Sequence, residues 1–433
     1  MPDGLFVAAI PVSHERPLAP SAEPQDTVDS SETVTAPLSL FGLEFSLDTA
    51  SLDSLEAVVR FVTKVQVGDW FARFRGTEEV ALLATCHRVE LALLVRSPEA
   101  LDLWREVLPG SRDSWTVREG RELVHHLYRV AAGQESLAVG EAEVRHQVRA
   151  AAQSIQSRHS RPVLRELFSG AAAAAEEVYP SVPTRRSIAS VAATRLLGLV
   201  GQPHPRVLVV GSGTVGRQVT ESLAASARVT VVFHQRPPED SFLRAMGARA
   251  VPLDRLGEEL ASSDAVVTAA KFGNHGLRAG DLPRNRRLVL VDLGVPRNID
   301  PNVRELPNAR LVDLQELHAC SENFSPTETH ALRTMELADR FSDRLAPLLL
   351  EPWIDAFRRS AEEVRRSELE NARSFFGNLD PNQEIAIERL TRRLVARLLL
   401  PPTERIRSLP PGPEGDLQRR FAVELLRPRS PDP

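Results

Sequence analysis

Apolar residues first settle into a helical rhythm at Leu55, Val58, Val59 and Val62, which predicts a helix over 52–67. The rhythm then changes. Residues 80–84 and 89–95 are short runs of Val, Leu and Ala, read as two strands on either side of a turn at Thr85-Cys86-His87-Arg88. Helical spacing returns over 122–130, 143–158 and 163–178, the last with a run of alanines. These pieces make a first α+β domain. Two close prolines, Pro180 and Pro183, break the pattern, and a helix is expected over 187–198. Next comes Arg206-Val207-Leu208-Val209-Val210, a continuous apolar run suited to a strand covered on both faces. A second strand at 229–233 follows about one βαβ unit later, and further strands are expected at 265–268, 288–292 and 310–312. Strands alternating with helices in this way predict a doubly wound parallel sheet.

From Thr327 the pattern is helical almost to the end. Pro352 is expected to kink or interrupt it, 377–381 to turn, and Pro401-Pro402 to stop a last helix over 382–400. Ile385, Leu390, Leu394, Leu398 and Leu399 lie close to one face of that helix. A second stripe runs through Leu332, Met335, Leu337, Phe341, Leu345, Leu348 and Leu349. Too little chain remains to cover both stripes, so a second copy is the expected cover and the chain is expected to be a homodimer. Residues 1–39, rich in Pro, Ser, Thr and acids, predict a disordered extension. The expected organisation is therefore α/β multidomain: 1–39 extension, 40–180 α+β domain, 181–318 Rossmann-like nucleotide-binding domain, and 319–425 all-α dimerisation domain.

Composition narrows the class. Of 433 residues, 42% are hydrophobic and 26% charged, and the formal net charge is −5. That argues against a broadly basic nucleic-acid binder. Arginine clusters at Arg158, Arg161 and Arg165, and from Arg389 to Arg407, leave room for a local footprint, although most read as solvated helix faces. Two cysteines cannot frame a disulfide scaffold, which points to a reducing, cytoplasmic setting. No apolar run approaches the length of a membrane span, and the apolar stretch 5–12 follows Asp3 rather than a basic region, so it is not read as a signal peptide.

Gly211-Ser212-Gly213-Thr214-Val215-Gly216 sits after a buried strand and before a helix, where glycines let the backbone approach a pyrophosphate at the helix's positive end. An NAD-selective site usually ends its second strand with an acid for the ribose hydroxyls. Here the strand ends Phe233-His234-Gln235-Arg236, with no acid before Glu239, and Arg236 can pair with a 2′-phosphate. NADPH is the expected cofactor. No metal site is expected.

Cys86 stands at a strand end, beside Arg88, in Thr85-Cys86-His87-Arg88-Val89-Glu90. An arginine there favours thiolate and suits a carboxylate substrate, as expected of a nucleophile toward an acyl carbon. A small buried hydrophobe that happens to be sulfur is the competing reading. The segment resembles the Thr-Cys-Asn-Arg-x-Glu motif of glutamyl-tRNA reductases. The downstream run His126-Leu127-Tyr128-Arg129-Val130-Ala131-Ala132-Gly133-Gln134-Glu135-Ser136 through Glu143 resembles that family's His-Leu-Phe-Arg-Val-Ala-Ser-Gly-Leu-Asp-Ser stretch and its continuation. Val291-Asp292-Leu293-Gly294-Val295-Pro296-Arg297 and Leu390-Thr391-Arg392-Arg393-Leu394 with Pro401-Pro402 resemble further family segments.

The resemblance implies a definite chemistry. Cys86 attacks the ester joining glutamate to the tRNA 3′ end, and hydride from NADPH reduces the thioester to glutamate-1-semialdehyde for tetrapyrrole synthesis. It implies Thr85, Arg88 and Ser136 in the glutamyl pocket, with Arg88 on the substrate carboxylate, and His126 polarising the reacting carbonyl. His125 competes for that last assignment. Glu141 and Glu143 match further motif positions. Partners implied are glutamyl-tRNA, a second copy and glutamate-1-semialdehyde aminomutase.

The sequence departs from the pattern in four places. His87 replaces asparagine, and Glu143 replaces glutamine. The N-terminal Gly-Leu-x-His-Lys motif is not recognisable, although Gly42-Leu43-Glu44-Phe45 stands at about the right distance. The stretch before the nucleotide domain is shortened to Pro183-Thr184-Arg185-Arg186-Ser187. These departures frame an alternative: a paralogue with weak or no turnover and a regulatory or tRNA-binding role. A third reading, another NADP-linked dehydrogenase, leaves the Cys86 segment and the helical C-terminus unexplained.

Overall fold

The computed structural model describes residues 38–422, less short stretches at 65–66, 75, 97, 137, 159–161, 181–186, 271–275, 321–325, 377–378, 411–413, 416 and 419–420. The expected disordered extension therefore lies outside the described residues up to 37, and Ser39 already begins the first strand.

The first unit is an antiparallel sheet of β1 (Ser39–Ser46), β2 (Thr77–Ala84), β3 (Arg88–Val95), β4 (Thr116–Glu119) and β5 (Gln156–Ser157), in the order β4-β1-β3-β2-β5. Side chains alternate across each strand. On β3, Val89, Leu91, Leu93 and Val95 face one core, with the helix Leu52–Lys64. Arg88, Glu90, Ala92 and Leu94 therefore point the other way, toward the helices Arg121–Ala131, Ala142–Gln153 and Val163–Val178. Register sets Glu44 of β1 opposite Glu90 and Ser46 opposite Arg88. Two acids directly opposite each other destabilise a sheet unless cations neutralise them.

The second unit is a parallel sheet in the order β11-β10-β9-β6-β7-β8, built from β6 (Arg206–Val210), β7 (Arg228–Phe233), β8 (Arg249–Pro252), β9 (Ala265–Thr268), β10 (Leu288–Asp292) and β11 (Ala309–Val312). The order reverses between β6 and β9, the crevice where such sheets bind nucleotides. Strand β8 was not anticipated: Arg249-Ala250-Val251-Pro252 is an edge strand, too short and too polar to stand out. One apolar core runs through both units. Leu43, Leu91 and Trp104 of the first share it with Ile188, Val209 and Leu317 of the second.

Two helices complete the chain. The first runs unbroken over Glu328–Phe376, roughly 70 Å at 1.5 Å per residue. Pro352 does not interrupt it, contrary to expectation. A proline in a helix costs about 3 kcal/mol, and burial of Leu345, Leu350 and Ile354 on either side offsets this. The second helix, Pro381–Arg407, likewise continues through Pro401 and Pro402. Beyond them Ile406 packs on Leu350 and Ile354, while the Thr403 hydroxyl donates to the Leu399 and Leu400 carbonyls at 2.8 and 3.0 Å.

The long helix is not bare along its first stripe. Ala338, Phe341 and Leu345 are buried against Leu127, Phe168 and Ala171 of the first unit, so this part is covered within one chain. Leu332, at the start of the stripe, stays exposed, and the other exposed positions are distal, among them Val364, Phe375, Leu390, Leu394 and Leu398. Phe357, Val364, Leu369, Phe376, Leu394 and Leu398 line an open apolar groove of about 700 Å³ between the two helices. No helix among the described residues is long and apolar enough to cross a membrane.

Candidate active site

Strands β2 and β3 are joined by the shortest kind of hairpin. The Thr85 N–H donates to the Arg88 carbonyl at 2.9 Å, leaving Cys86 and His87 at the tip. The Thr85 hydroxyl turns inward and accepts the His87 N–H at 3.4 Å. Cys86 is half-buried, and its Sγ lies 3.8 Å from His87 Nδ1. Burial first, and the Glu141 carboxylate second, push its thiol up to about 12, while Arg88 opposes them.

Arg88 is 1% exposed. Its Nη1 lies 2.9 Å from Glu135, 3.3 Å from Glu44 and 3.4 Å from Glu90. Its Nη2 donates to the Glu135 carbonyl at 2.7 Å and to His87 Nε2 at 3.0 Å, and its Nε to the same Nε2 at 3.1 Å. A guanidinium has five N–H donors, and all three nitrogens are committed within the chain. In this arrangement, the guanidinium that the resemblance sets on the substrate carboxylate is held by Glu44, Glu90 and Glu135 of the chain itself.

His126 is equally enclosed. Its Nε2 is 3.0 Å from Glu90 and its Nδ1 is 3.1 Å from Glu135. Burial works against a charged ring, but Glu90 beside it and contacts with Glu135 overcome this and lift it to about 9. The ring is thus favoured in its protonated form between two carboxylates: Nε2 hydrogen-bonds Glu90, while Nδ1 faces Glu135 without hydrogen-bond geometry. His125 settles its own competition: Nε2 pairs with Asp339 of the long helix at 2.9 Å.

Glu44, Glu90 and His126 bring donor atoms within 4.8 Å of one another, a spacing that suits a metal ion. Cations of the chain already occupy it. Arg118 meets Glu44 at 2.8 Å, Arg88 meets both acids, and Arg129 meets Glu135 at 2.7 Å. The like charges that β1 and β3 set opposite each other are neutralised this way.

The sequence reading missed Glu44, Glu135 and His87 as members of this cluster. Glu90 stood in the quoted motif without a role. Its signal was the two-residue spacing from Arg88, which puts both on one face of a strand. Glu44 gave no local signal, because only strand pairing brings it there.

The hairpin tip lies at the seam between the first two units. Asp48 meets His318 at 2.9 Å, and the His318 ring stacks over His87 with centroids 6.2 Å apart. His318 belongs to Leu314–Cys320, the helix that follows β11. Arg297, from the loop after β10, pairs with Glu56 at 2.9 Å and with Asp53. Glu141 accepts the Ile188 N–H at 3.3 Å, capping the helix Ile188–Val200. Burial lifts the Glu141 carboxyl to about 7. Glu143 is half-buried two residues on, and both acids raise the Cys86 thiol. Ser136 lies in the loop after Arg121–Ala131, next to the residue whose carbonyl meets Arg88.

The glycine fingerprint fits a dinucleotide. A Cβ on Gly211, whose φ is +122°, would stand 2.7 Å from the Ala269 carbonyl oxygen, and one on Gly216 would stand 1.9 Å from that of Gly211. Gly213 opens to free space at the start of the helix Thr214–Leu223, where N–H groups await an anion. Ser212 donates to the Arg236 carbonyl at 3.0 Å, tying the end of β7 to the phosphate loop. The Arg236 side chain is exposed and has no ion-pair partner among the described residues.

A thiol-bearing antiparallel unit docked on a nucleotide-binding parallel sheet, with a helical hairpin beyond, defines a multidomain NADP-dependent oxidoreductase. Comparison with known proteins gives the family. Residues 43–182 match the glutamyl-tRNA(Glu) reductase N-terminal domain, 196–320 the shikimate/quinate 5-dehydrogenase domain, and 335–427 the glutamyl-tRNA(Glu) reductase dimerisation domain. A glutamyl-tRNA reductase of Rubrobacter xylanophilus is 32% identical, over 77% of this chain and 83% of its own. One of Pseudomonas putida is 30% identical, over 86% and 93%. The solved glutamyl-tRNA reductase of Methanopyrus kandleri is 25% identical with a TM-score of 0.46, over 90% of this chain and 98% of that one. The chain belongs to the glutamyl-tRNA reductase family, uses NADPH and forms a homodimer through its C-terminal helices.

Proposed function

We propose that this chain reduces glutamyl-tRNA(Glu) to glutamate-1-semialdehyde in the cytoplasm, the first dedicated step of tetrapyrrole synthesis by this route. The observation that carries the reading is the position of Cys86: at a hairpin tip pressed against the nucleotide-binding unit, with His87 stacked on His318. Cys86 is the nucleophile, forming a thioester and releasing the tRNA. Bound NADPH supplies the hydride that reduces this thioester. Gly211, Ser212, Gly213, Thr214, Val215 and Gly216 hold its pyrophosphate, and Arg236 its 2′-phosphate.

Around the thiol, Thr85 fixes the turn and Ser136 lines the glutamyl pocket. Glu141 and Glu143, close enough to raise the thiol, match the α-ammonium of the glutamyl group rather than its carboxylate. Arg88 and His126 are positioning residues: they clamp Glu135, and with it the loop carrying Ser136, onto the cysteine turn. We divide the chain at residues 180 and 318 into glutamyl-tRNA, NADPH and dimerisation domains. Glutamate-1-semialdehyde is a reactive aldehyde, so the aminomutase that consumes it is a natural partner. A turnover assay with glutamyl-tRNA and NADPH, beside a Cys86→Ser control, tests the reading. Aldehyde should form with the native chain alone. A native chain that binds the tRNA and yields no aldehyde would instead be the non-catalytic paralogue.

A further inference from the structure

We propose that His87, which stands where the family motif has asparagine, is a catalytic residue: its Nδ1–H holds the Cys86 sulfur whenever that atom carries negative charge. The proposal rests on Cys86 being the nucleophile. Nδ1 is the ring nitrogen nearest the sulfur, at 3.8 Å. The other nitrogen, Nε2, faces Arg88 Nε at 3.1 Å and Nη2 at 3.0 Å. A guanidinium only donates, so Nε2 accepts. A neutral imidazole has one N–H, which then sits on Nδ1, toward the sulfur. The Glu135 carbonyl oxygen, 2.8 Å from Nε2, would accept from the other tautomer; it already takes a hydrogen bond from Nη2 at 2.7 Å, and the two guanidinium donors facing Nε2 outweigh that one acceptor.

The ring has little freedom to turn. It is buried, stacked on His318, and its own carbonyl accepts the Leu47 N–H at 3.0 Å. It is also kept neutral: burial first, then the Arg88 charge, push its pKa down to about 4. His87 is therefore a fixed neutral donor, not an acid. An asparagine amide offers the same thing from the same position.

Both chemical steps use such a donor. In acylation the sulfur forms a bond to the ester carbon, the bond from that carbon to the ribose 3′ oxygen breaks, and the thiol proton leaves with the ribose hydroxyl. In reduction a hydride adds to the acyl carbon. The carbon–sulfur bond then breaks with its electron pair on sulfur, the aldehyde carbonyl re-forms, and the sulfur takes one proton from solvent. Sulfur carries charge as the thiolate before its attack and again as the carbon–sulfur bond breaks, in a site where Glu141 and Glu143 oppose it. A preorganised donor acts where such charge appears.

The test uses the full chain carrying Cys320→Ser, which leaves Cys86 as the single thiol. Iodoacetamide alkylation at pH 8 reads the thiolate fraction without any tRNA. His87→Ala should slow it about tenfold, equivalent to one pKa unit, and His87→Asn should recover most of the loss. With glutamyl-tRNA and NADPH, kcat should follow the same order. Nitrogen-15 spectra of the unsubstituted ring should place the proton on Nδ1. Alkylation unchanged in His87→Ala, or a ring proton found on Nε2, would overturn the proposal. Absence of turnover in the native chain would instead sink the proposed reaction and leave the alkylation result standing.

Discussion

His126 offers a stability prediction whose size follows from its surroundings. Its pKa is lifted from the ordinary 6.5 to about 9 in the folded chain. A raised pKa means that folding favours the protonated ring. The contribution is fully present below pH 6.5 and is lost as pH rises through 9. Linkage with those two values gives about 2 kcal/mol lost between pH 7 and pH 9. The window matters because other groups act elsewhere. His87, depressed to about 4, adds stability as pH rises from 4 to 6.5. Glu141, raised to about 7, removes it between 4.5 and 7, so the two nearly cancel. The Cys86 thiol, pushed to about 12, acts above 9.

Tryptophan fluorescence is the natural probe, since Trp70, Trp104 and Trp115, three of the four tryptophans, lie in the first unit. Urea unfolding of the native chain should show the loss between pH 7 and 9. His126→Gln should be less stable at pH 7 and nearly flat across the same window. A native chain flat over that window, or a variant that keeps the slope, would refute the imidazolium assignment.

Other substitutions probe other parts. Gly216→Ala should abolish NADPH binding by calorimetry, because its Cβ would fall 1.9 Å from the Gly211 oxygen; retained micromolar affinity would contradict the phosphate-loop assignment. Arg236→Ala should cut the preference for NADPH over NADH by about one to two decades, an ionic hydrogen bond being worth roughly 1.5–3 kcal/mol; an unchanged kcat/KM ratio would speak against it. Arg88→Ala should destabilise the first unit by about 3–5 kcal/mol, since Glu44, Glu90 and Glu135 would lose a shared buried partner; a loss below 1 kcal/mol in urea unfolding would show the cluster is not held this way. Leu394→Asp with Leu398→Asp, in the exposed distal stripe, should shift light scattering from dimer to monomer.

Much of this architecture was legible in the chain. The strands on either side of Cys86 and the helix Val163–Val178 follow from periodicity, because one face of each packs on a core. The phosphate loop follows from three glycines whose spacing has a steric cause. What stayed hidden depends on tertiary pairing. A lone Arg88 beside a cysteine reads as a substrate grip. Only the β1–β3 register, which sets Glu44 against Glu90, shows that the arginine is needed inside. The adjacent His125 and His126 cannot be told apart by spacing. One faces the long helix and the other the sheet, a difference of 100° around one helix turn. The prolines in the last helices misled for a related reason: local propensity ended elements that packing carried on.

The covalent step at Cys86 gives the most direct measurement. Labelled glutamyl-tRNA, incubated with the full chain in the absence of NADPH and quenched in acid, should leave one glutamyl group per subunit on the peptide containing Cys86. Added NADPH should discharge it as the semialdehyde. Label that persists in Cys86→Ser, or that maps to Cys320, would contradict the account.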